Sequence, residues 1–392
     1  MSRWIAVAGL SLVFAQWVFA ADAPAEVGTP HFERQVIDSK VAIGYGVAIA
    51  DVDGDGKPDI LLADKKQFVW FRNGDWKRFV MAENVTPQDN VCIAARDIRG
   101  DGKADVAVGA GWNPSDTVNS GSVHYLIRPS DPTQPWQVVD LHHEPTVHRM
   151  AWVRTGDKSY QLVVVPLHGR GNKSGQGEGV KVLAYEMPKD PKAPWATHEL
   201  DGSLHMTHNF TILPTDADKP EALLLGGREG VKDLATDRHP MLDLPGCRGI
   251  GELRYSSADK FLATIEPMHG NEVVVYRRSV GADGKWTRQV LDETLHEGHA
   301  LVVGDFLGIG HDQIVAGWRL PNAEKKVGIK MYVPLDAEQA HWQTIVLDEQ
   351  TACEDLKAAD LDGDGRPDLV ASGRASHDLV ILWNRNGKAP AK

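Results

Sequence analysis

Carboxylates on alternate residues are the first groups in this chain whose spacing points to chemistry. Asp51, Asp53, Asp55 and Asp59 occupy positions 1, 3, 5 and 9 of the loop Asp51-Val52-Asp53-Gly54-Asp55-Gly56-Lys57-Pro58-Asp59. Oxygens placed so, with the position-7 carbonyl of Lys57, form the shell that a hard cation such as Ca2+ takes. An EF-hand opens alike, but it needs helices on both sides and a bidentate Glu at position 12, where this chain has Leu62. The flanks here, Ala48-Ile49-Ala50 and Ile60-Leu61-Leu62, are short apolar runs that read as strands. The loop recurs at Asp360, Asp362, Asp364, Arg366 and Asp368. It recurs again at Asp97, Asp101, Lys103 and Asp105, with Arg99 in place of one ligand. Asp305-Phe306-Leu307-Gly308-Ile309-Gly310 keeps the turn and loses the ligands.

Imidazoles form the second set. Leu204-His205-Met206-Thr207-His208 and Leu295-His296-Glu297-Gly298-His299 share one Leu-His-x-x-His pattern. Pro166-Leu167-His168-Gly169 and Pro267-Met268-His269-Gly270 are a second matched pair. Neutral imidazoles with a carboxylate suit Zn2+ or another divalent transition metal, and they suit proton abstraction equally well.

The elements that position these residues follow from the repetition. One turn recurring at tens of residues marks an array or a propeller. A second repeated signal is an aromatic followed by an alternating strand that ends in Asp. It runs from Phe32 to Asp38, Trp286 to Asp292 and Trp342 to Asp348, with looser copies from Trp76, Trp136 and Trp195. These predict the outer strands of four-stranded blades, with their aromatics packing between blades. Inner strands are expected to begin near Tyr45, Val91, His148, Thr207, Arg248, Gly298 and Cys353, which makes seven. The last blade runs out at Trp383, so Phe32–Asp38 is expected to supply its outer strand and close the ring. The stretch from about 205 to 246 is the most degenerate blade. The fold class expected is all-β: a single seven-bladed β-propeller over 31–388, after a signal peptide at 1–20 and a linker at 21–30.

Flanked by apolar strands, the Asp-x-Asp-Gly-Asp-Gly-x-Pro-Asp unit resembles the FG-GAP/VCBS repeat. That resemblance implies a seven-bladed propeller with calcium in the turns between first and second strands, as in integrin α-chain heads. The His-rich middle, with this repeat at both ends, is similar more narrowly to the propeller part of aldos-2-ulose dehydratases. Those are metal-dependent lyases acting on keto-sugars; the cupin domains that follow the propeller in the fungal members are not seen here.

In such a ring the acidic turns lie on one face and the links into the inner strands on the other. Aligned on their following loops, Tyr45, His148, His299 and Glu354 stand at one level of the inner strands, and His208 and Arg248 stand close to it. Trp112, His168, Arg228, His269, Trp318 and Arg374 come at the ends of the second strands. An internally repeated scaffold does not need a different polar residue in every blade, so their convergence predicts a ligand site at the channel mouth. His148, His208, His299, Tyr45 and Glu354 are the expected catalytic set. The seven others, Trp112, His168, Arg228, Arg248, His269, Trp318 and Arg374, are expected to hold substrate, the arginines on an anionic oxygen and the tryptophans against a sugar ring.

Composition bounds the partners. Arg3, an apolar run from Ile5 to Phe19 and the small residue Ala20 make a secretory signal, which predicts a secreted or periplasmic protein. No later segment is apolar enough to span a bilayer, so no membrane is expected after cleavage. A net charge of −12 argues against a nucleic-acid partner. Three widely spaced cysteines do not frame a fold with disulfides. Nor is there a Ser-His-Asp order or nucleophile elbow, and the Gly-rich Gly169–Gly179 stretch lacks a following helix, so it reads as a loop. Two readings remain. One is an exported carbohydrate-active lyase that eliminates a β-substituent from a keto-sugar or related glycoside. The other is a non-catalytic, calcium-stabilised propeller that binds a glycan or a protein.

Overall fold

The computed structural model describes residues 28–216, 218–235, 239–279 and 284–387. The expected signal peptide, most of the linker and residue 388 lie outside the described residues. What is described is a ring of seven antiparallel sheets. Blade one runs from Gly46–Ala50 to Arg78–Glu83, blade two from Cys92–Arg96 to Gln137–Leu141 and blade three from Val147–Gly156 to Ala196–Asp201. Blade five runs from Glu252–Tyr255 to Trp286–Asp292 and blade six from Gly298–Gly304 to Trp342–Asp348. Blade seven takes Cys353–Ala359, Asp368–Gly373 and Asp378–Asn384 from the C-terminus and Phe32–Asp38 from the N-terminus. Phe32 lies opposite Asn384 and Val36 opposite Val380, so the ring is closed as the sequence predicts.

Short, near-continuous apolar runs explain the second and third strands, most of which are buried on both faces, as in Asp59–Ala63 and Asp378–Asn384. Seven apolar clusters fill the spaces between neighbouring blades, one for each of the seven interfaces. The outer-strand aromatics work there. Trp136 is 5% exposed, and Trp76 meets Trp383 across the closure between blades seven and one. Burying each such ring contributes roughly 1.5–3 kcal/mol, so the interfaces carry the ring.

Two details depart from expectation. Blade four has three regular strands, Thr207–Leu213, Ala222–Gly227 and Gly230–Asp233. Residues 240–242 supply only a remnant of the fourth, through Asp233 N to Pro240 O and Leu242 N to Val231 O. Pro240 and Pro245 bracket that piece and leave no room for a ladder. The inner strand of blade five starts at Glu252, so Arg248 stands in the loop before it.

The inner strands are not alike, and the difference sits at the channel mouth. In blades three, four, six and seven the pairing register shifts between Val147 and Arg149, Thr207 and Asn209, Gly298 and Ala300, and Cys353 and Asp355. The residue skipped in each case is His148, His208, His299 or Glu354. A bulge leaves the extra residue unpaired and re-aims its side chain. The inner pairings of blades one, two and five carry no such shift.

Candidate functional site

On the turn face, Asp51, Asp53 and Asp59 place carboxylate oxygens within 4.8 Å of one another, and so do Asp360, Asp362 and Asp368. Asp51 accepts the Gly54 and Gly56 amides at 2.6 and 2.8 Å, which curls the loop; both glycines are left-handed, at φ 84 and 83. Burial pushes Asp59 up to about 7 and Asp368 up to about 6, since charged forms are penalised there without a counter-ion. Asp55 and Asp364 turn instead to their own loops: each accepts an amide at 2.9 Å, from Lys57 and Arg366, and Asp364 also pairs with the Arg366 guanidinium. The third loop differs from the expected cation site. The Arg99 guanidinium grips Asp105, through Nε at 3.2 Å and through Nη2, while the Tyr125 hydroxyl donates to Asp105 at 2.6 Å. A fixed positive charge therefore stands beside Asp97, Asp101 and Asp105, with Lys103 closing the turn. Asp305 keeps only the turn, accepting the Ile309 and Gly310 amides.

The opposite mouth holds the imidazoles. His148 Nδ1 donates to the His208 carbonyl at 2.8 Å, His208 Nδ1 to the Gly251 carbonyl at 2.7 Å, and His299 Nδ1 to the Glu354 carbonyl at 2.7 Å. Each ring thus reaches the neighbouring blade, at its inner strand or, for Gly251, at the residue just before it, and two of the three acceptors belong to bulged residues. A backbone carbonyl can only accept, so it fixes the proton on Nδ1 and leaves Nε2 a bare lone pair. His269 joins from the end of a second strand, with its Nε2 2.6 Å from that of His208 and a left-handed φ of 55. In the neutral state His269 is the donor of that contact. Ring centroids of His208, His269 and His299 lie 4.5, 5.1 and 4.9 Å apart, and their nitrogens fall within 4.8 Å of one another. This triad replaces the expected one in a single member: His148 stands beside it, 4.6 Å from His208 and stacked on Trp112 at 5.1 Å.

Burial pushes His148 and His299 well below the usual imidazole range and His269 down to about 2; the neighbouring rings, Arg149 and Arg319 add to it. These rings are neutral at physiological pH, the form that binds metal. Three imidazoles, two of them oriented by backbone carbonyls, fit the ligand set of a catalytic zinc with an open fourth position.

His269, His299 and His148, but not His208, line a chamber of about 240 Å3 that also includes Tyr45, Trp112, Arg319 and Arg374 in its walls. Glu354 lines it too, but it is not a free base. It is 1% exposed and held by Arg319 Nη1 at 2.9 Å to both oxygens and by Arg374 Nη1 at 3.1 Å. Arg319 also takes Glu297 at 2.7 Å. Tyr45 sits beneath the Arg374 guanidinium and donates to Asp89 at 3.3 Å, and burial pushes its phenol up to about 12.

Four expected substrate contacts lie elsewhere. Trp318 is 2% exposed, packs in the core between blades five and six and donates to the Lys326 carbonyl at 2.8 Å. The side chain that lines the chamber is its neighbour Arg319, which the sequence reading missed because strand parity at that end was set one residue off. Arg228 holds the Ser174 and Gly175 carbonyls of the Gly-rich loop, and with His168 it lines a separate cavity of about 630 Å3. Arg248 pairs with Glu272 away from the chamber. Cys92 and Cys353 are buried free thiols, as packing residues should be.

Residues 51–108 match the FG-GAP-like repeat, a span that contains the first two acidic loops. No curated protein matches the sequence. Among solved structures the chain is similar to a chain of the mitotic checkpoint complex, at 12% identity and a TM-score of 0.56 over 96% of this chain and 99% of that one. It is similar also to BBS1N in complex with ARL6DN, soaked with mercury, at 13% identity and a TM-score of 0.58 over 92% and 99%. The lead-soaked form of that complex gives 13% and 0.56 over 93% and 100%. At such identities the likeness is one of fold alone. The molecule is a seven-bladed β-propeller carrying an FG-GAP-like repeat.

Proposed function

We propose that the channel mouth is the active site of an exported carbohydrate-active lyase, with a divalent transition metal on His208, His269 and His299 and structural Ca2+ in the Asp51 and Asp360 loops. The observation that carries this reading is the row of bulges: the inner strand breaks its ladder in four blades, each time at the residue that puts an imidazole or Glu354 into the mouth. A fold held only by its blades has no use for four such breaks at one level. When bound, the metal supplies Lewis-acid polarisation of a sugar carbonyl.

The chain's own residues do the rest. Trp112 and Tyr45 flank a chamber that takes one sugar ring, and Arg319 and Arg374 face the oxygen that gains charge. His148, neutral with Nε2 free, takes the proton next to the carbonyl. The C–H pair becomes the new double bond as the β-carbon–oxygen bond breaks. Tyr45, held as a phenol, gives its proton to the departing oxygen. Glu354 positions the two arginines.

The test is a panel of 2-keto and 3-keto sugars and their glycosides, followed by the ultraviolet absorbance of the conjugated enone. Turnover that falls by roughly two to four orders of magnitude in His148→Ala supports the assignment of the base. Sugar binding with no enone from any substrate would favour the second reading, a glycan-binding propeller. The aromatic pair Tyr45 and Trp112 at the rim is what speaks for that alternative.

A further inference from the structure

The channel has a second cavity below the first, farther along the inner strands toward the acidic turns. It holds about 270 Å3, and its polar walls are Arg149, Asn209, Thr211, Arg254, Asp355 and Lys357. Arg149 lines both cavities and so forms the partition between them. Its side chain is 9% exposed, yet Nε and Nη2 have no hydrogen-bond partner. The nearest carboxylate, Glu252, stays 3.6 Å from Nη2. Glu252 is drawn to other groups: Asn209 donates to it at 2.6 Å, His208 Nδ1 lies at 3.4 Å and Arg254 Nη2 at 3.6 Å. Asp355 is already satisfied by the Val47 and Leu356 amides and by the Lys357 ammonium, at 2.8 to 3.0 Å. Arg149 and Glu252 thus meet only in a long ion pair that leaves Arg149 Nε and Nη2 and Glu252 Oε1 all without a hydrogen bond, while Arg254 and Lys357 stand in the cavity wall with Asp355 as its one carboxylate. Buried guanidinium N–H groups without an acceptor are costly, so the cavity is built for something that accepts.

We propose that this lower cavity is a binding site for a small oxyanion, held by Arg149, Arg254 and Lys357. A guanidinium fork matches the paired oxygens of a carboxylate or a sulfate. The volume, just under the roughly 300 Å3 at which ordinary ligand pockets begin, limits the occupant to a small molecule. Nothing in this assignment depends on the lyase reading, since neither Arg149, Arg254 nor Lys357 takes part in it.

Calorimetric titration of the full chain with sodium acetate and with sodium sulfate, at constant ionic strength in sodium chloride, tests it. We expect saturable binding of one anion per chain, with a dissociation constant on the order of millimolar or below. Preference for acetate assigns a carboxylate ligand, and preference for sulfate an inorganic oxyanion. Arg254→Met and Lys357→Met should each weaken binding roughly tenfold, as the loss of one charge-assisted contact does. Arg149→Met should abolish it. His299→Ala should leave it unchanged. Should Arg149→Met fail to fold, the other two variants still decide. No saturable binding of either anion to the wild-type chain, or equal affinity in Arg254→Met and Lys357→Met, would overturn the proposal.

Discussion

Ring closure rests on one side chain more than on any other. Arg34 comes from the N-terminal strand and donates from Nε to Asp348 of blade six at 2.7 Å and from Nη2 to Asp378 of blade seven at 2.6 Å. The two acids are 1% and 9% exposed, so Arg34→Met would strand two buried carboxylates at the seam. Removing one partner of a buried pair costs about 3–5 kcal/mol. Asp348 keeps the Gln350 and Thr351 amides and Asp378 keeps Ser376, which puts the loss at the lower end, about 3 kcal/mol. At roughly 2 °C per kcal/mol for a domain this large, the melting temperature should fall by about 6 °C. Arg78 provides the control: its pair with Asp38 is 3.4 Å long and partly exposed, so Arg78→Met should stay within about 0.5 kcal/mol of wild type. Calorimetry and urea unfolding of the two variants side by side make the assay. If Arg34→Met melts within a degree of Arg78→Met, the closure is not held as argued.

Other consequences follow from the same geometry. Deleting residues 28–38 exposes the Asp378–Asn384 edge, and the product should aggregate; a soluble protein with wild-type melting would contradict this. Without a cation, Asp59 and Asp368 have folded-state values of about 7 and 6, above those of the unfolded chain, so their contribution is favourable at acid pH and lost as pH rises through that range. Bound Ca2+ removes that penalty, so the rise in melting temperature that calcium gives should grow between pH 5 and 8; an increment flat with pH would refute the assignment. Asp53→Ala and Asp362→Ala should each remove one bound calcium as counted by equilibrium dialysis, whereas two unchanged equivalents would show that the ions sit elsewhere. Arg99→Asp removes the guanidinium from the third loop and restores its missing ligand, and should add one equivalent; unchanged stoichiometry would mean that the loop cannot close on an ion.

The sequence spoke clearly where one residue type forces one outcome. Alternate aspartates with paired glycines located the turns, and the aromatic-led strands gave Trp286–Asp292, Trp342–Asp348 and Phe32–Asp38 to the residue. The Leu-His-x-x-His pattern found His208 and His299, because each follows a turn whose position the repeat fixes. Bulges were invisible, since no residue type is required at His148, His208, His299 or Glu354 to make one. Without them the parity at the mouth stays open, which is how Trp318 was preferred to Arg319 and why Arg149 escaped notice. Glu354 reads as a free acid in one dimension because its two arginines lie 35 residues upstream and 20 downstream. Blade four lost its outer strand to Pro240 and Pro245, a local conflict that the ring tolerates.

The central claim is that His208, His269 and His299 form a metal site independent of the acidic turns. Calorimetric titration of Zn2+ into the calcium-saturated chain measures this directly. The account predicts one tight equivalent for wild type, lost in His269→Ala and His299→Ala while calcium-dependent melting is kept, and retained in His148→Ala. Equal zinc binding by wild type and by the chain lacking all three imidazoles would contradict it.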